Sequence, residues 1–142
     1  MKQINTAPII IGIDPGVSTG IAVWDRNARV FSTITSDGIV GVMKRVLALH
    51  KAAGVEVWFE DARLRSWFGA KGREALQGAG SIKRDCQIWE EWCCLYGIKY
   101  RSIKPAAGAT KWDAEHFRRV TGWAGRTNEH SRDAACLVFG AQ

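Results

Sequence analysis

Apolar positions along the chain recur with two different periods, and the switches between them mark an alternation of strands and helices. Pro8 to Asp14 is a short apolar run that stops at Pro15-Gly16, and Ser18 to Trp24 is a second β-prone run. A strand, a tight turn and an antiparallel return are predicted, with a third strand over Arg29 to Thr35 after the polar break Asp25-Arg26-Asn27. Ser36 is placed to cap a helix whose apolar positions Ile39, Val42, Met43, Val46 and Leu47, followed by His50, keep the helical period up to Gly54. Val55 to Glu60 then reads as a strand, and a helix between two strands is the usual route to a parallel pair.

Asp61 to Lys71 shows no period and is predicted as a loop, whereas Arg73 to about Tyr96 carries one apolar stripe through Leu76, Ala79, Ile82, Cys86, Trp89, Cys93 and Tyr96. Lys99 to Ile103 supplies a fifth strand and Pro105 to Ala109 a loop of small residues. Thr110-Lys111-Trp112-Asp113 has the form of a capping box opening a helix to about Thr121. Gly122 to Thr127 is a further loop, and Asn128 can cap a last helix from Glu129 to Gly140. The predicted architecture is α/β: a mixed five-stranded sheet, three strands antiparallel and the rest parallel, flanked by helices.

The 142 residues, 46% hydrophobic and 24% charged, suit a single domain over 1–142 with a core of its own. No apolar stretch approaches the roughly 20 residues of a membrane-spanning helix, and the first residues lack an export signal, so a cytoplasmic protein with no membrane partner is expected. Cys86, Cys93, Cys94 and Cys136 have no C-x2-C spacing and no nearby histidine cluster. They read as small apolar packing residues rather than zinc ligands or a disulfide. Twenty Lys and Arg against fourteen Asp and Glu leave a net charge of +6, which favours a polyanionic partner, most commonly nucleic acid.

The pattern also locates candidate chemistry. Asp14 ends the first predicted strand and Glu60 the fourth; if those strands are parallel neighbours, both carboxylates emerge at one edge, about 4.8 Å apart from strand to strand. Carboxylates held so close repel unless a divalent cation lies between them, and oxygen ligands select Mg2+ or Mn2+. His130 and Asp133, three residues apart on the last helix, share a helical face and can complete the same site. Taken singly, each residue has a plainer explanation: Asp14 as a turn former, Glu60 as a solvated strand end, His130 and Asp133 as first-turn helix residues.

Taken together they carry a resemblance. Ile11-Gly12-Ile13-Asp14-Pro15-Gly16 with Thr19-Gly20, then Glu60 after the first helix, then His130-Ser131-Arg132-Asp133-Ala134-Ala135, resembles the RuvC-type Holliday-junction resolvases of the ribonuclease-H-like superfamily. The resemblance implies that Asp14, Glu60, His130 and Asp133 are catalytic and hold two Mg2+ ions, with Mn2+ able to substitute, and that no small-molecule cofactor is used. It further implies a homodimer cutting a four-way junction by paired symmetric nicks, with Gly78-Ala79-Gly80-Ser81 in a small-residue dimerisation helix. Lys104 and Lys111 flank the Pro105 loop where such resolvases carry basic residues beside the scissile phosphate. Arg63 stands where family members have an aromatic residue, so Trp67 or Phe68 would do the stacking, with Arg65 and Arg126 as further DNA contacts.

Other readings stay open. A nuclease of the same superfamily acting on flaps, branched DNA or an RNA–DNA hybrid needs the same residues, and a non-catalytic DNA-binding module needs only the basic face. Gly12-Ile13-Asp14-Pro15-Gly16 with Ser18-Thr19-Gly20 also resembles the phosphate-binding opening of actin-like ATPases, which use two such domains where this chain has length for one.

Overall fold

The computed structural model describes residues 6–65, 73–105 and 111–142, giving only the helical backbone of 73–79. Trp67, Phe68, Thr110 and the small residues 106–109 after Pro105 lie outside the described residues. The elements follow in the order β1 (Ile9–Asp14), β2 (Ser18–Asp25), β3 (Val30–Gly38), α1 (Ile39–Ala53), β4 (Val55–Glu60), one 3-10 turn (Ala62–Leu64), α2 (Arg73–Tyr96), β5 (Lys99–Ile103), α3 (Ala114–Thr121) and α4 (Glu129–Val138).

The strands form one sheet in the order β3-β2-β1-β4-β5, with β1–β2 and β2–β3 antiparallel and β1–β4 and β4–β5 parallel. This is the mixed sheet that the sequence predicts. Two of its connections follow directly from local chemistry. Asp25 accepts hydrogen bonds at Oδ1 from the amides of Asn27 and Ala28, closing the β2–β3 turn, and Arg29 completes the reversal with φ of 57°. Gly54 leaves α1 at φ 73°, and its amide donates to the carbonyl of His50.

Because side chains alternate along a strand, each strand divides its residues between two cores. Ile11 and Ile13 of β1, with Val57 and Phe59 of β4, pack on one side against Val42 and Val46 of α1 and Cys86, Trp89 and Cys93 of α2. Ile10 of β1, with Ala22, Trp24 and Ile34, packs on the other side against Phe117 of α3 and Ala134, Ala135 and Val138 of α4. Asp14, even-numbered like Ile10 and Gly12, therefore belongs to the α4 face, and so does Glu60, which follows Glu56 and Trp58 along β4. The buried part of the α2 stripe is narrower than its period predicts, since Ile82 and Tyr96 are partly exposed while Cys86, Trp89 and Cys93 are fully buried.

Several boundaries differ from the sequence reading. Ser36 does not cap α1: β3 continues through it to Gly38, which occupies the N-cap position without a side-chain bond. Sheet pairing explains the difference, because Ser36 is held opposite Gly20 of β2. The cap of α3 is Asp113, whose side chain accepts from the His116 amide, so that helix begins after the predicted four-residue box. The segment after Glu60 is not all loop, since Asp61 caps a 3-10 turn by accepting from the Arg63 amide. The last helix ends at Val138, two residues before Gly140.

Candidate functional site

The parallel register of β1 and β4 pairs Ile13 with Phe59, so the next residue on each strand is a carboxylate, Asp14 beside Glu60. On the other side of Asp14 the row continues through Gly20 to Ser36, and beyond Glu60 it reaches Ile103. One edge of the sheet thus presents both acids on the face that α4 covers.

The route by which α4 reaches this edge is geometric. Two residues of strand advance about 6.6 Å and four residues of helix about 6 Å, so a strand's alternate residues stay in step with one helical row. Ile10, Gly12 and Asp14 lie against the row Val138, Ala134 and His130. Val138 and Ala134 share the buried core with Ile10. A Cβ on Gly12 would collide with the Ala134 carbonyl, and one on Gly20 with the His130 carbonyl. Both glycines are there because the helix backbone lies directly on the strands, and that contact carries His130 to Asp14.

His130 Nδ1 stands 3.0 Å from Asp14 Oδ2. Opposite an ionised carboxylate Nδ1 must carry the proton, which leaves the Nε2 lone pair available to a ligand. The start of α4 is fixed independently. Asn128 accepts from the Ser131 amide, Ser131 Oγ accepts from the Asn128 amide, and the Asn128 side-chain amide donates to Ser36 at the end of β3. Arg132 donates to the Trp112 carbonyl and to Thr127 Oγ1, holding the chain before α3 against α4.

The electrostatics are those of crowded acids. Burial pushes the Asp14 carboxyl up to about 6; the His130 hydrogen bond draws it down, and the charges of Asp133 and Glu60 raise it further. Glu60 is raised too, first by burial and then by Asp133, with Lys111 and Arg65 pulling the other way. Asp133 accepts from Lys111 Nζ at 2.9 Å, and the same ammonium donates to Glu129 Oε1 at 2.9 Å. Of the four side chains picked from the sequence, Asp14 and His130 are in contact, Glu60 ends the strand beside Asp14, and Asp133 acts on both carboxylates by its charge while bonded to Lys111.

Three carboxylates and an imidazole are a donor set suited to a hard divalent cation, and the upward push that Asp133 exerts on both Asp14 and Glu60 is the repulsion such a cation would relieve. Among the described residues no three His, Cys, Asp or Glu side chains already stand in a ligating cluster. Asp133 is turned to Lys111 instead.

The basic candidates separate into two kinds. Lys104 follows β5 at the edge where Glu60 emerges, Arg65 follows the 3-10 turn, and Arg126 lies in the loop before α4; all three are exposed. Arg63 is committed inside the protein: its guanidinium donates twice to the buried Asp61 and once to Glu90 of α2. Burial acts to raise the Asp61 carboxyl, but the Arg63 hydrogen bonds and charge outweigh it and hold it below its usual range. The Cys86 thiol donates to the Glu60 carbonyl, and the Asp61 amide to the Ile103 carbonyl, so the strand end bearing Glu60 is pinned to α2 and to β5. Arg63 is thus placed as a tether of that strand end. The sequence offered little sign of this, since Asp61-x-Arg63 is a common local pair and Glu90 lies far along the chain.

The four cysteines are free thiols. Burial pushes Cys86 to about 11 and Cys93 to about 12, as expected of unreactive packing residues, whereas Cys94 and Cys136 are exposed and depart from the packing role that the sequence suggests for all four. Among the described residues no helix is long and apolar enough to cross a membrane.

Sheet order and helix placement define an α/β fold of the ribonuclease-H-like kind, with acids at the ends of its two central parallel strands. Compared with solved structures, the chain matches Thermus thermophilus RuvC in complex with a Holliday junction substrate, with a TM-score of 0.56 and 16% identity over 92% of this chain and 90% of that one. The two share a fold. No family model matches the chain, and no curated protein matches it in sequence.

Proposed function

We propose that the protein is a Mg2+-dependent, structure-selective DNA endonuclease that resolves four-way junctions. The observation that carries the reading is the meeting of Asp14, Glu60 and the α4 residues His130 and Asp133 at one sheet edge, on a fold shared with a protein solved in complex with a Holliday junction substrate. Exposed Lys104, Arg65 and Arg126 near that edge, and a net charge of +6, favour a phosphate-rich partner.

Asp14, Glu60, Asp133 and the Nε2 atom of His130 would hold two Mg2+ ions, with Mn2+ as a substitute, and the pair would supply water activation and stabilisation of the leaving 3′ oxygen. The chain's own residues do the remainder. Asp14 fixes the imidazole of His130 through Nδ1, which leaves Nε2 as the ring nitrogen that would take the metal ion. The Asp61–Arg63–Glu90 tether keeps Glu60 at its place on the strand end. Hydrolysis without a covalent enzyme intermediate leaves a 5′-phosphate and a 3′-hydroxyl. A junction is nearly two-fold symmetric, so a homodimer presenting two such sites would nick opposing strands in pairs.

The deciding experiment offers the purified protein a four-way junction, a flap, a linear duplex and an RNA–DNA hybrid with Mg2+. Symmetric paired nicks in the junction, with the duplex left intact, are expected. Preferential cutting of the hybrid or the flap would move the assignment to another nuclease of the same fold, and no cutting of any substrate would remove the enzymatic reading.

A further inference from the structure

We propose that Lys111 is the resident counter-ion of the acidic edge: its ammonium holds Asp133 and Glu129 until a divalent cation displaces it. The inference rests on the metal-binding reading above and adds how the site is kept before the cation arrives. One Nζ stands 2.9 Å from both Asp133 Oδ2 and Glu129 Oε1, while Asp133 in turn acts on Asp14 and Glu60 across the edge. An ammonium in that position neutralises part of the charge that a divalent cation would neutralise. It also explains why the candidate ligands are gathered without forming a ligating cluster among the described residues.

The arrangement is built to release. The Lys111 side chain is 63% exposed against 19% for Asp133, so the ammonium can turn into solvent while the carboxylate stays. The backbone beside it need not move, because Arg132 of α4 holds the Trp112 carbonyl at 3.0 Å. Exposed ion pairs are weak and exchange readily with water, so two of them make a lock that a divalent cation can open.

The test is a titration of the whole protein with Mn2+ alone, without DNA, reading free Mn2+ by its paramagnetic resonance signal. Lys111→Met is expected to bind Mn2+ about three- to tenfold more tightly than the native protein, whereas Lys104→Met, which removes an equal charge from the same sheet edge, leaves the affinity within about twofold. In the native protein, Mg2+ should shift the Lys111 side-chain resonance to that of a solvated lysine. Unchanged affinity in Lys111→Met, or an equal gain in Lys104→Met, overturns the lock while leaving the metal site standing. Absence of Mn2+ binding by the native protein overturns both.

Discussion

Asp14 concentrates the physical tension of the site. It lies at the end of a buried strand, 17% exposed at its side chain, with two other carboxylates acting on it and one imidazole bonded to it. Its carboxyl stands at about 6 in the folded protein against an ordinary 3.8, so between those values the folded state holds a proton that the unfolded chain has lost. Stability from this residue is therefore greatest below the lower value and falls as pH rises through the upper one, by about 3 kcal/mol in all at roughly 1.4 kcal/mol per pH unit. Asp14→Asn should accordingly raise the thermal midpoint at pH 8 without metal and lose most of that advantage near pH 4. The same variant should keep junction binding and lose cleavage. A midpoint that does not rise at pH 8, measured by calorimetry, would mean that the carboxylate is not under strain.

At the scale of elements, the site depends on the seating of one helix on two strands. α4 is only ten residues long, too short to hold its place by intrinsic helicity, and it is positioned by its glycine contacts and its capping box. Gly12 and Gly20 make equivalent contacts, with the carbonyls of Ala134 and His130 one helical turn apart. Adding a methyl at either should cost about 1–3 kcal/mol by forcing the backbones apart. Gly20→Ala, however, displaces His130 itself, whereas Gly12→Ala acts a turn away. Denaturant unfolding is expected to show similar losses for the two, and cleavage rates a loss at least tenfold larger for Gly20→Ala. Equal losses in rate would show that α4 shifts as a rigid unit.

For the molecule as a whole, the proposed function makes a basic surface the contact with DNA. Lys104 after β5, Arg65 after the 3-10 turn and Arg126 in the loop before α4 are exposed, whereas Arg63 is engaged with Asp61 and Glu90. Removing one cation that neutralises a phosphate should reduce the slope of log affinity against log salt by about one. Arg126→Ala and Lys104→Ala are expected to lower that slope for junction binding by Asp14→Asn protein, measured in the absence of metal. Arg63→Ala should leave the slope unchanged and lower stability instead, because it leaves the buried Asp61 carboxylate without its partner. A salt slope that falls in Arg63→Ala would return that residue to the DNA interface.

The strands and helices are legible in the sequence, as are the strand-end positions of Asp14 and Glu60, because each rests on local information. Period-two and helical spacing decide the elements, and a carboxylate closing an apolar strand stands out against its neighbours. Ser36 misleads as a cap because local capping chemistry is present there but pairing with β2 outweighs it, and at α3 the cap is Asp113. What the linear order does not disclose is which residues of distant segments meet. That Gly12 and Gly20 are seats for α4, that Lys111 pairs with Asp133, and that Arg63 turns inward to Asp61 and Glu90 are outcomes of tertiary packing. A side chain's partners are chosen by whatever the fold brings within a few ångströms of it, and that choice is made only when sheet and helices close together.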